Sequence, residues 1–154
     1  MRLLDYLDVR HVLLDLEQTD RDAVLGRIVG ALAATGALSE VEEPLRRLIE
    51  REEVMTTGIH PGVAVPHAYT QAAPRSICAL ARLPAGVDWH SLDGEKVTIV
   101  FCLLGPPEAT DQHVRLLARV AKLIEMPGVM EDLRMAATHE SLLTFLKSAE
   151  RRLP

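Results

Sequence analysis

The chain has 154 residues, one domain's worth, of which 48% are hydrophobic and 25% charged, ordinary proportions for a globular protein. Its net charge of −5 and its five aromatics (one Trp, two Tyr, two Phe) argue against a nucleic-acid surface or base stacking as its main business. No apolar run approaches the roughly twenty residues of a membrane span, Met1-Arg2-Leu3-Leu4-Asp5 does not read as a signal peptide, and two cysteines make no disulfide framework, so a soluble cytoplasmic protein with no membrane insertion is expected.

No linker, repeat or low-complexity tract divides the sequence, and residues 1–154 read as a single domain. Val12-Leu13-Leu14 is an apolar run that suits a first strand. Thr19-Asp20 reads as a helix N-cap, Ala23, Val24, Ile28, Ala31 and Leu32 follow at helical spacing, and Gly36 supplies the stop. Ser39-x-x-Glu42 has the form of a capping box, with Pro44 in the first turn. Leu45, Leu48 and Ile49 form the stripe of this second helix, which should end near Glu53.

The period then shortens. Val63-Ala64-Val65 is a short extended run closed by Pro66. Ile77, Ala79, Ala81 and Leu83 alternate with Ser76, Cys78, Leu80 and Arg82 as in a strand, and Pro84-Ala85-Gly86 and Asp93-Gly94 read as turns. Val97 through Leu104 is almost continuously apolar, which predicts a strand buried on both faces, and Gly105-Pro106-Pro107 stops it. Three helical segments complete the chain: about Asp111 to Glu125, a short one after Met126-Pro127-Gly128 to about Ala137, and one capped by Thr138 with Leu142, Leu143, Phe145 and Leu146 as its apolar residues. Helices, then strands, then helices predict an α/β domain: a mixed sheet flanked by helices on both faces.

The histidines outnumber the aromatics, six to five, and one of them has an unusual setting. Gly58 and Gly62 permit backbone shapes closed to other residues, and Pro66 restricts both itself and Val65. His67 is therefore delivered from a stiff strand end, as preorganised chemistry requires, although a histidine after a short apolar run is more often structural. Gly58-Ile59-x-x-Gly62-Val63-Ala64-Val65-Pro66-His67, with Arg51-Glu52 upstream, resembles the active-site signature of the fructose/mannitol-type IIA components of the phosphoenolpyruvate-dependent phosphotransferase system, nitrogen-regulatory IIA proteins included. Val87-Asp88-Trp89-x-Ser91-x-Asp93-Gly94, Val100-Phe101-Cys102-Leu103-Leu104 with Pro106, and His113 with Leu116-Leu117 extend the resemblance over nearly the whole chain.

The resemblance implies that His67 accepts a phosphoryl group on Nε2 from a phosphohistidine of HPr or a nitrogen-branch counterpart. It then passes the group to a IIB domain, or serves as a signal read by a partner kinase, channel or transcription regulator. Neutral imidazole is the attacking form and dominates at neutral pH, and transfer between two histidines requires no metal or other cofactor. Arg51 could offer a planar cationic fork to the phosphoryl oxygens, though among Glu50, Glu52 and Glu53 it also suits a solvated helix end. Thr56 and Thr57 could donate hydroxyl hydrogen bonds to the phosphate. His113 heads the stripe Leu116, Leu117, Val120, Ile124 and so points inward. It also lies at the positive end of its helix, which disfavours imidazolium and suits an anion. Its alternatives are a core histidine or, by resemblance, a second phosphate-contacting histidine.

His60 stands where family members often carry glycine and could tune donor binding without accepting phosphate itself. His11, His90 and His139 carry no motif and read as surface or capping residues. Cys78 and Cys102 read as small core residues. Zinc held by His60, His67 and His113 is disfavoured, because spacings of seven and forty-six residues match no metal motif.

Overall fold

The computed structural model describes residues 1–154 throughout. A 3-10 turn at Leu3–Asp5 leads into β1 (Leu7–Leu13), followed by α1 (Arg21–Ala34), α2 (Glu42–Val54), β2 (Val63–Ala64), β3 (His67–Tyr69), β4 (Ile77–Val87) and β5 (Val97–Gly105). After a 3-10 turn at Pro107–Ala109 come α3 (Thr110–Glu125), α4 (Val129–Met135) and α5 (His139–Arg152). No helix is long and apolar enough to cross a membrane.

The sheet is mixed. β1 runs parallel to β4, β4 antiparallel to β5, and β2 and β3 both run parallel to the far edge of β5. β2 and β3 are one edge strand interrupted at Val65-Pro66. The interruption follows from the sequence, since Pro66 has no N–H for a ladder. Its carbonyl still accepts from Leu103 N at 3.0 Å.

Strand β5 shows why the fold has two cores. From Ile99 onward the faces alternate: Val100, Cys102 and Leu104 face α1 and α2, whereas Ile99, Phe101 and Leu103 face α3, α4 and α5. Alternation places successive side chains on opposite faces, so an apolar run is what a doubly covered strand needs. Trp89, fully buried with α1, α2 and their side of the sheet, is the largest side chain in a core otherwise made of aliphatic residues. Each large aliphatic side chain so buried stabilises by about 1.5–3 kcal/mol.

Helix ends follow their caps in two cases. Asp20 accepts from Ala23 N at 2.8 Å, and Thr138 Oγ1 accepts from Ser141 N at 3.0 Å. The expected Ser39/Glu42 capping box is not formed. Ser39 N donates instead to Ala72 O at 3.0 Å, drawing Ser39 into a loop pairing. Glu40 takes the start of α2 by accepting from Glu43 N at 3.2 Å.

The turn expected at Pro84-Ala85-Gly86 also yields to pairing. β4 continues to Val87 with its register shifting between Arg82 and Val87. The irregularity absorbs the proline, and Gly86 takes φ +74° there. His11 is buried rather than on the surface: its Nε2 lies 2.5 Å from Thr35 Oγ1. His90 and His139 are exposed, and Cys78 and Cys102 are free and buried, as expected.

Candidate functional site

The segment from α2 to β3 is a chain of hydrogen bonds ending at His67. Glu52, on the last turns of α2, is only 3% exposed. Its carboxylate accepts from Thr57 N at 2.9 Å and from Thr57 Oγ1. Thr57 O in turn accepts from Val65 N at 3.4 Å, and Val65 O faces His67 Nδ1 at 2.8 Å. A carbonyl only accepts, so Nδ1 carries the proton and donates it. The lone pair of neutral His67 is therefore on Nε2.

Burial pushes the pKa of His67 below the ordinary histidine range. The Val65 carbonyl opposes that shift, the Arg51 guanidinium adds to it, and Glu52 opposes it. The outcome is a half-buried, neutral imidazole with one nitrogen pinned and the other unprotonated.

The loop that carries this chain is closely fitted. A Cβ at Gly58 would stand 2.3 Å from Ser91 Oγ, and Gly58 O accepts from Leu92 N at 3.2 Å. Gly62 adopts φ +75°, which glycine alone takes readily. The residues Val87 to Gly94, singled out in the sequence beside the central strand, thus form the wall against which the Gly58 loop rests.

His113 sits in the first turn of α3, 2% exposed. Neither of its ring nitrogens has a hydrogen-bond partner. Burial, and the neighbouring His67, hold its pKa down at about 4, so it is neutral near pH 7. Its ring centroid is 5.8 Å from that of His67 and 4.6 Å from that of Tyr69.

These residues open onto a pocket of about 400 Å³ lined by Arg47, Arg51, His67, Tyr69, His113 and Leu117, among others. The structure thus brings together His67, His113 and Arg51. Arg51 donates from Nη1 to Met55 O at 2.8 Å, leaving further N–H groups of its fork. Thr56 and Thr57 do not line the pocket. Thr56 Oγ1 donates to Trp89 O at 2.9 Å and accepts from Gly58 N at 3.1 Å, and Thr57 is the link to Glu52 already described. Both hydroxyls hold the loop. His60 bridges to Val63 and also lies outside the lining.

Two pocket-lining residues, Arg47 and Tyr69, and the buried Glu52 behind the loop were given no role from the sequence. Arg47 stands one helical turn before Arg51, a spacing that shares a face. Tyr69 stands two residues after His67 in a strand, a spacing that also shares a face. Glu52 was visible beside Arg51, but its burial and its bond to Thr57 depend on how the loop folds back.

No group of three or more His, Cys, Asp or Glu side chains is arranged to hold a metal ion. The sequence model of the family described as phosphoenolpyruvate-dependent sugar phosphotransferase system, EIIA 2, matches residues 5–149, and the chain belongs to that family. It is 31% identical over 142 residues to a nitrogen regulatory protein of Pseudomonas aeruginosa, covering 92% of each chain. It is 25% identical over 151 residues to the fructose-specific EIIABC component of Bacillus subtilis; that match takes in 98% of the chain but only 24% of the longer relative. Nitrogen regulatory protein IIA-Ntr from Neisseria meningitidis superimposes with a TM-score of 0.85 at 25% identity, over 92% of this chain and 97% of the other.

Proposed function

We propose that His67 is the phosphoryl acceptor and that Nε2 is the accepting atom. The observation that carries this reading is the 2.8 Å contact between Nδ1 and the Val65 carbonyl. In the transfer, the Nε2 lone pair forms a new N–P bond as the donor's N–P bond breaks, and that electron pair returns to the donor nitrogen. The proton on Nδ1 stays there throughout, donated in a hydrogen bond to the Val65 carbonyl. Arg51 stabilises the charge on the equatorial oxygens by donating from its fork. His113, neutral and unpartnered, has an N–H free for the same oxygens. Thr56 and Thr57 support the site through the loop, and their hydroxyls reach phosphate only by giving up their present partners.

The donor is a phosphohistidine carrier of the HPr type. Exposed apolar residues beside the pocket support docking of a protein: Val54, 83% exposed, with Met55, Ile59 and Leu92 around the Gly58 loop. The onward acceptor is a IIB domain. A second reading is a regulatory role, in which the phosphorylation state controls binding to a partner protein. It is supported by the resemblance to nitrogen regulatory proteins along nearly the whole chain.

Incubation with phosphoenolpyruvate, enzyme I and HPr is expected to label the protein, and His67→Ala to take no label. Stable labelling of His67→Ala would overturn the assignment of the acceptor. Adding a IIB domain then separates the two readings: loss of label to IIB marks a carrier, and retention with altered partner binding marks a regulator.

A further inference from the structure

The partners of His113 raise a question that its burial sharpens. A functional histidine is ordinarily oriented by a hydrogen bond from its second nitrogen to a carbonyl or carboxylate. His67 has such a bond. His113 has none at either nitrogen, although it is 2% exposed, and buried polar groups without partners are uncommon. Something other than a hydrogen bond must hold the plane of its ring.

The ring next to it is Tyr69. The centroids are 4.6 Å apart with the planes tilted by 44°, within the range of favourable aromatic pairs. Tyr69 comes from β3, two residues beyond His67, so both side chains leave the same face of that strand. Tyr69 as a whole remains 37% exposed and lines the pocket, while its ring packs against that of His113.

We propose that Tyr69 is a positioning residue for phosphoryl transfer, setting the plane of the His113 ring and screening it from water so that one N–H stays aimed at the phosphoryl group on His67. The proposal rests on the reading of His67 as acceptor. Tyr69 acts through His113 and needs no contact with the phosphoryl group. Its hydroxyl has no part in this role, so phenylalanine should serve equally well. The groups facing His113 across the pocket are His67 and Tyr69 from β3 and Arg47, Glu50 and Arg51 from α2. All but Tyr69 are kept in the comparison below.

The test uses the full chain, unphosphorylated and ¹⁵N-labelled, as wild type, Tyr69→Phe, Tyr69→Leu and Tyr69→Ala. Imidazole resonances of His113 are followed from pH 4 to pH 8. Wild type and Tyr69→Phe should show a His113 ring of high order that titrates only at the acid end. Tyr69→Ala should show a His113 ring of low order and a midpoint raised by about one pH unit or more, with His67 Nδ1 still protonated. Tyr69→Leu keeps apolar bulk without a ring, guards against a folding failure of the alanine variant, and should share the lowered ring order.

Phosphorylation by HPr should then slow about tenfold in kcat for Tyr69→Ala, with KM for the donor nearly unchanged. Tyr69→Phe should stay within about twofold of wild type. An unchanged His113 ring order in both Tyr69→Ala and Tyr69→Leu overturns the proposal, as does an unchanged kcat or a loss confined to KM. A wild-type chain that takes no label sinks the carrier reading and the catalytic half of this proposal with it, while the resonances still decide whether Tyr69 orients His113.

Discussion

His67 and His113 lie 5.8 Å apart between ring centroids, yet they are held by opposite means. His67 ends a run of hydrogen bonds from Glu52 through Thr57 and Val65. His113 is held by packing, with both nitrogens unpartnered. The difference matches the roles proposed for the two rings. A nucleophile needs its lone pair on one chosen nitrogen, and a bond to the other nitrogen chooses it. A group that meets an incoming anion needs a donor still free when the anion arrives, and a resident partner would compete for it. Both rings are kept neutral by burial, so one physical cause prepares them for two roles.

The largest expected effect comes from removing the charge that the two rings share. Arg51→Ala should slow phosphorylation of His67 by about 10²–10³-fold, the usual loss when a preorganised donor to a developing charge is deleted. Arg51→Lys should recover only part of that rate, since lysine restores the charge but not the planar fork. Single-turnover labelling by phospho-HPr reads both. Equal rates for wild type and Arg51→Ala would mean that the hydrogen-bonded side of the site needs no cation.

A smaller loss tests the rigid side of the comparison. At Gly58 a methyl would meet Ser91 Oγ at 2.3 Å and Ser91 Cβ at 3.1 Å. Gly58→Ala should destabilise by about 1–3 kcal/mol, the range for forced overpacking, and slow labelling because the loop carries Thr57 towards Val65. Adding Ser91→Gly should return most of both losses. Urea midpoints of the single and double variants check this, and no recovery in the double variant would detach the Gly58 loop from the Ser91 wall.

Much of this site was legible before the fold was seen. The family resemblance carried by Arg51-Glu52, the Gly58 to His67 motif and His113 pointed to the residues that the structure brings to one pocket. The stripe from His113 to Ile124 correctly turned His113 inward. What the sequence concealed depends on partners far away in the chain. Thr56 and Thr57 look free as letters, but Trp89 O and Glu52 use their hydroxyls. Ser39 has the form of a cap, yet the carbonyl of Ala72 takes its N–H. The β4 strand passes through a proline and a glycine because β5 pairs on both sides of the shift. Local rules fail at these places because a tertiary partner offers the same hydrogen bond in a different shape.

The smallest expected effect concerns the packed side alone. The folded His113 has a pKa of about 4, against about 6.5 for an unfolded histidine. Between those values the unfolded chain binds more protons, so stability is full above pH 6.5 and is lost as the pH falls towards 4. At pH 5.5 the loss due to His113 should be about 1 kcal/mol. His67 and His11 are also pushed down by burial and contribute in the same direction, so the acid sensitivity of the wild type is not that of one residue. The difference between wild type and His113→Gln isolates it. Urea unfolding at pH 7.5 and pH 5.5 should show the variant losing about 1 kcal/mol less than wild type between the two pH values. Equal losses would mean that His113 reaches a proton acceptor in the folded chain, and the contrast between a bonded and an unbonded histidine would fall. Because glutamine carries no titrating proton at either pH, the comparison needs no assumption about how well it fills the space beside Tyr69: any packing defect is common to both conditions and cancels.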